Sequence, residues 1–319
     1  MREDNFGLDE ESVEALFRSL SNWGRWGDDD EKGTLNLLSP EKVLQARDLI
    51  QDGVSVSLSR LIENVPAIDV ADPPLMHMTY SGEEWALHPE QRSKPWGVQL
   101  ARDFLGFTYH GLYLTHLDAL SHFFFNGMMY NNANPASVRT DGGATISSVE
   151  DAVTGIVSRG VLADVACHRG VPWLEPGDAI GPKELEEVLD AEGVTPEPGD
   201  VLVVRTGHWE RRTQLGPAPV ADGFPGLHGA CAPLLKKWDI AMLAGDSIND
   251  VVPSGFEVMA QPIHEIGQVS MGLWLLDNCE LGALGEACAE RGRYEFFFSL
   301  LPLRVKGGTG SPANPVAIF

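Results

Sequence analysis

An α/β fold built on a mixed sheet is what this 319-residue sequence predicts, and two patterns predict it. Short runs of β-branched, aromatic and leucine residues, punctuated by glycine or proline, alternate with helical segments. The strand-like runs outnumber the helical ones, so the sheet is expected to be mixed. A hydrophobic content of 43% is ample for a sizeable core, and the length allows one large domain or two.

From the N-terminus, Leu8, Val13, Leu16, Phe17 and Leu20 give residues 8–20 the spacing of a short amphipathic helix. Ser39-Pro40-Glu41-Lys42 reads as an N-cap followed by proline at the first helical position. That helix is expected to run to Gly53, where glycine can take the left-handed conformation. Val54, Val56 and Leu58 mark the next strand. Further helices are expected from Pro182 to about Ala191, stopped by Gly193, and from Gly229 to Trp238. Strands are expected at 108–118, 161–166, 201–205, 240–244, 270–276 and 296–303.

Composition narrows the partners. Forty-six acidic residues against 23 basic give a formal charge of −23, a surface that repels phosphate backbones and anionic lipid. Neither nucleic acid nor a membrane is expected as a partner; a small-molecule substrate is. No apolar run reaches the roughly 18 residues needed to span a bilayer, and the first residues lack a signal-peptide pattern. A cytoplasmic location is therefore expected. Cys167, Cys231, Cys279 and Cys288 are scattered without a Cys-x-x-Cys, which suits buried thiols rather than a zinc cage or a disulfide scaffold.

The segment from His110 to His122 carries the chemistry. Three imidazoles and one carboxylate stand at the even positions 110, 116, 118 and 122. In an extended chain, residues two apart point to one face, so all four groups would project together. A lone His-x-Asp pair is ordinarily a hydrogen-bonded structural pair. Four such groups in phase suit a divalent ion such as Zn²⁺, Mn²⁺ or Fe²⁺, or proton transfer, and point to an enzyme.

Thr115-His116-Leu117-Asp118-Ala119-Leu120-Ser121-His122 resembles the signature of the cyclase family of metal-dependent hydrolases, which includes kynurenine formamidase and isatin hydrolase. The family pattern is His-x-Gly-Thr-His-x-Asp-x-Pro-x-His. The match holds at Thr115, His116, Asp118 and His122 and departs at Leu112, Leu114 and Leu120. Similar likenesses lie in Asp200–Gly207, in Pro262-Ile263-His264 with Leu276-Asp277-Asn278, and from Leu300 to the end with its Gly310-Ser311-Pro312 turn.

The resemblance implies a barrel-like β core with surrounding helices over residues 39–319, preceded by an N-terminal arm, 1–38, that smaller members lack. It implies a divalent metal ion, zinc or manganese, and hydrolysis of an amide, imide or lactone by metal-activated water. His116 and Asp118 would hold the metal, with His110 as a further candidate. His122 would transfer protons. His264 falls where the family has a metal-site or catalytic histidine, and is assigned here with His122 to catalysis. Relatives form symmetric assemblies, so a homodimer or homotetramer is expected. Because Leu112 replaces the first family histidine, His110 could reach the metal only if a bulge at Gly111 shortens the path.

Around this site the sequence is aromatic, with Trp85, Trp96 and Tyr109 before it and Phe123, Phe124, Phe125 and Tyr130 after it. Phe123 and Tyr130 are candidates for the wall of a pocket that takes an apolar or aromatic substrate. Trp23 and Trp26 sit in a glycine-punctuated stretch and must pack on something: they staple the arm to its own domain, or they wall a pocket. Asp246 and Asp250, in a Gly-Asp-Ser-Ile-Asn-Asp loop, read as a solvated turn. His208, at the end of strand 201–205, and His228 carry weaker functional claims, and His77, His88 and His168 read as surface or structural. Two rival functions stay open: a polyketide cyclase or dehydratase using the same His/Asp site, and a metal-free binding protein.

Overall fold

A computed structural model describes residues 6–88, 90 and 100–319, without the side chains of residues 84 and 85. Trp96 and the side chain of Trp85 thus lie outside the described part. Among the described residues, nine strands form one curled sheet with helices around it. In chain order they are β1 (Ser55–Ser57), β2 (His116–Asp118), β3 (Ile156–Asp164), β4 (Val201–Arg205), β5 (Met242–Gly245), β6 (Trp274–Asp277), β7 (Glu295–Leu300), β8 (Gly310–Pro312) and β9 (Val316–Ile318). Their spatial order is β1-β9-β7-β3-β4-β5-β6-β2-β8. The central run from β3 to β6 is parallel and both flanks are antiparallel, so the sheet is mixed as the alternation of elements predicts.

The parallel centre is buried on both faces, and its strands are accordingly apolar along most of their length. On one face Val161, Ala163, Leu202, Val204, Leu243 and Leu275 pack with Leu185, Val188 and Leu189 of helix α1 (Pro182–Glu192) and Leu234, Leu235 and Trp238 of helix α2 (Ala232–Trp238). On the other face Leu162, Val201, Val203, Met242, Ala244, Trp274 and Leu276 pack with Leu284, Ala287 and Cys288 of helix Gly282–Arg291. Gly193 ends α1 in the left-handed conformation, as its position predicts.

Several boundaries differ from expectation. The helix capped by Ser39 stops at Arg47, because the next amides, Leu49 and Ile50, turn back on Ala46 and Arg47 and tighten the last turn. Residues 229–231 are a 3₁₀ turn before α2. The expected strand 108–118 shrinks to His116–Asp118, because Gly111 takes a φ of +154° and turns the chain out of the sheet. The expected strand 270–276 begins only at Trp274; residues Glu265–Met271 form a π-helix instead.

The described part of the arm is held down along its length. Its helix, Glu10–Ser19, is capped by Asp9 and buries Val13 and Phe17. Trp23 packs edge-on against Phe17 and donates its Nε1–H to the Val269 carbonyl at 2.8 Å, and Arg25 lies over the Trp26 ring and pairs with Asp239. These are the contacts of a staple. Outside the sheet, Leu75–Tyr80 and Arg102–Gly106 form a two-stranded antiparallel hairpin whose residues are nearly all exposed. No helix among the described residues is long and apolar enough to cross a membrane.

Candidate metal centre

Asp118 is the hub. It sits on β2 between β6 and β8, fully buried, with His116 on the same strand face. The antiparallel register sets Asp277 of β6 directly opposite His116, adding a second carboxylate to that face. On the other side Gly310 of β8 lies opposite Asp118. A Cβ there would come within 2.7 Å of the His110 ring and 2.4 Å of the Leu117 carbonyl, so only glycine leaves room for His110 to lie over Asp118.

His110 does reach the site, from a loop rather than from the strand face that its even spacing suggests. Its Nδ1 stands 2.9 Å from Asp118 Oδ1, its Nε2 is 3.0 Å from Thr309 Oγ1, and its ring stacks on His122 at 3.7 Å. His116 Nε2 is 3.5 Å from the same Oδ1, while its Nδ1 donates to the Leu114 carbonyl at 2.8 Å, which fixes the ring and aims Nε2 inward. The other carboxylate oxygen, Oδ2, faces His122 Nε2 at 3.9 Å, His264 Nε2 at 3.6 Å and the Gln268 amide at 3.2 Å.

Two donor sets result. His110, Asp118 and His122 form one, and His116, Asp118 and Asp277 the other; within each, the nearest ligand atoms lie within 4.8 Å of one another, and Asp118 belongs to both. His122, assigned on sequence to proton transfer, thus also stands where a ligand could. His110 Nδ1 and Asp118 Oδ1 are buried and make no hydrogen bond despite their proximity. Buried polar atoms left in this state ordinarily answer to something else in the site. Neutral imidazoles with carboxylates and no thiolate suit a divalent ion of the zinc or manganese kind, so the residues fit a metal.

His264 is oriented from behind. Asp250 Oδ2 accepts its Nδ1–H at 2.6 Å and also takes the backbone N–H of His264, while Oδ1 takes that of Ile263. His264 Nε2 then points between Asp118 and Asp277, 3.4 Å from the latter. The expected solvated turn at 246–250 is therefore corrected. Both carboxylates are buried, because protein N–H groups replace the water each would lose: Asp250 takes those around His264, and Asp246 takes those of Thr206 and Gly207.

Charge follows burial and partners. Burial drives the His122 imidazole down to about 4, against the pull of Asp118, so it is a free base near neutrality. Burial disfavours the Asp118 carboxylate, but the neighbouring imidazoles of His122, His116, His110 and His264 hold it well below the usual range. Burial also opposes charge on His264, and the nearby carboxylates of Asp277 and Asp118 together with the bond to Asp250 overcome it and hold this group well above the ordinary imidazole value.

Of the aromatic candidates, Phe123 is at the site, 4.6 Å from the His264 ring and 5.2 Å from His122. Tyr130 is not a pocket wall: it is fully buried under the arm and its hydroxyl donates to Asp30 at 2.9 Å. A cleft of about 150 Å³ opens beside His110, lined by Ile68, Val70, Tyr109, Leu112, Tyr113 and Val220. Leu112 thus supplies apolar surface where the family pattern has a histidine. His208 is half-buried beside Trp209, and His228 caps a 3₁₀ turn through Ala230 N–H. Asp250, Asp277 and Gln268 come to the site through tertiary contacts. Only the Asp277 region carried a signal in the sequence.

Known proteins share the fold. The family model described as "putative cyclase" matches residues 47–249, more than half of the chain. A crystal structure titled a novel cyclase is 32% identical, with a TM-score of 0.84, covering 94% of this chain and 100% of its own. Isatin hydrolase A from Labrenzia aggregata shares the fold at 17% identity and TM-score 0.57, covering 85% and 94%. A predicted metal-dependent hydrolase from Bacillus stearothermophilus shares it at 14% identity and TM-score 0.51, covering 83% and 97%. No curated protein matches the sequence. With the family model spanning residues 47–249 and a cyclase structure matching nearly the whole chain, the protein belongs to the cyclase family.

Proposed function

We propose that this protein is a metal-dependent hydrolase that opens an amide, imide or lactone bond in a small apolar or aromatic substrate. The observation that carries the proposal is Asp118: one buried carboxylate facing four imidazoles, with Oδ1 and the adjacent His110 Nδ1 lacking any hydrogen bond. His116, Asp118 and His110 are the proposed ligands, with Asp277 in reach. A zinc or manganese ion bound by them would bring the pKa of a water towards neutrality and polarise a carbonyl.

The chain's own residues do the rest. His122, uncharged at working pH, accepts a proton at Nε2. His264, fixed by Asp250, holds a proton at Nε2 that it can return to the leaving nitrogen or oxygen. Phe123 and the cleft beside His110 offer an apolar wall that excludes water and orients a ring. Isatin hydrolase, whose fold is shared, is named for a reaction of this class.

The test is a screen of purified protein against N-formyl aromatic amines, cyclic imides and lactones, with and without prior chelation. Ring opening or deformylation that chelation abolishes and added metal restores is the expected result. Release of water from a polyketide in place of these hydrolyses would favour the cyclase or dehydratase alternative.

A further inference from the structure

We propose that Gln268 is a positioning residue for Asp118, and that the N-terminal arm sets its place by capping the π-helical turn that carries it. The proposal rests on Asp118 being the centre of the site described above.

Gln268 is fully buried, and its Nε2 donates to Asp118 Oδ2 at 3.2 Å while its Oε1 has no partner. His264, four residues earlier, faces the same oxygen at 3.6 Å. One stretch of helix therefore presents two side chains to one carboxylate oxygen and leaves Oδ1 to His110 and His116. A carboxylate pinned in this way cannot rotate, which fixes the direction in which it offers its electron pairs.

The stretch is gripped at both ends. Asp250 takes the amides of Ile263 and His264 at its start. At its end four successive carbonyls need partners from outside, because a helix supplies none to its last turn. The arm supplies all four: Trp23 Nε1 to Val269 at 2.8 Å, Asn22 N–H to Ser270 at 3.0 Å, Asn22 Nδ2 to Met271 at 2.7 Å and Thr34 N–H to Gly272 at 2.8 Å. Asn22 is itself buried and held by Lys236 Nζ and Arg25. A π-helix is a poor solution for an isolated chain and recurs at functional sites, where surrounding structure maintains it. Removing the Asn22 side chain takes the Met271 cap away and releases Lys236 and Arg25, which loosens the turn and shifts Gln268 relative to Asp118.

The experiment compares wild type, Asn22→Ala, Gln268→Leu and the double variant. Two measurements are made: histidine ring NMR spectra of metal-free protein, and Mn²⁺ affinity by calorimetry. Glu10→Ala, which loosens the arm's helix from the Glu257 and Val258 amides without touching the caps, is the control, and thermal melting confirms that each variant folds. Asn22→Ala is expected to move the His110 and His264 ring signals although it touches neither, and to weaken Mn²⁺ binding about 10-fold, the lower end of what supporting hydrogen bonds to metal ligands contribute. Gln268→Leu should do the same, and the double variant no more than the stronger single change, because both act through one contact. Ring signals left in place by Asn22→Ala, or losses that multiply in the double variant, would overturn the proposal. If wild type binds no Mn²⁺, it is the metal reading that fails, and the ring spectra still decide the role of Gln268.

Discussion

A single carboxylate cannot lie among four imidazoles without settling who carries charge, and at Asp118 the packing settles it. Burial leaves His122 neutral, whereas the Asp277 carboxylate keeps the His264 proton. This division separates a base from an acid within one small site, the condition for moving a proton in each direction. His122→Ala is therefore expected to lower turnover by roughly 10²–10⁴ while metal content stays at the wild-type level. Metal lost together with activity would instead assign His122 as a ligand beside His110 and Asp118. The motif made His116, Asp118 and His122 legible in the sequence, since they lie within seven residues. Asp250 was not legible, because an acidic loop reads as solvated until its protein donors are known.

Elements position these residues by contacts that local sequence does not encode. Period-two spacing from 110 to 118 suggests a long strand, yet only its last three residues pair, and the turn at Gly111 brings His110 back over Asp118 instead. Strands such as Val201–Arg205 were legible because a strand buried on both faces is apolar along its length. The π-helix was not, since its carbonyl partners lie some 238 to 249 residues away in the arm. Asp246 shows the same dependence at the turn after β4. It accepts the Thr206 and Gly207 amides and the Thr206 hydroxyl, the closest at 2.7 Å, where Gly207 has no space for a side chain. Asp246→Ala leaves two buried N–H groups unpaired, at about 1–3 kcal/mol each. A loss of about 2–5 kcal/mol in urea unfolding is expected, with metal affinity retained. An unchanged midpoint would show that water replaces the carboxylate.

On the scale of the whole molecule, two features pull in opposite directions. A net charge of −23 keeps copies apart. The paired strands 75–80 and 102–106 nevertheless expose Met76, Met78 and Leu105 on one face and Leu75 and Phe104 on the other, each by 47% or more, on a two-stranded unit that is marginal by itself. We propose that a second copy of the chain covers the Met76, Met78 and Leu105 face, where apolar burial favours association and the like charge of the two copies opposes it. Sedimentation equilibrium should give a dimer or larger that tightens as salt screens the charge, and Met76→Lys with Leu105→Lys should yield a monomer. A wild-type monomer at micromolar concentration in moderate salt would contradict this.

The most direct measurement is elemental analysis of the purified protein beside its Asp118→Asn variant. Both donor sets share Asp118, so wild type should carry at least about one zinc or manganese ion per chain and the variant almost none, with hydrolysis lost in step. Wild type that hydrolyses its substrate with no bound metal, or a variant that keeps its full complement, would contradict a metal centre built on Asp118.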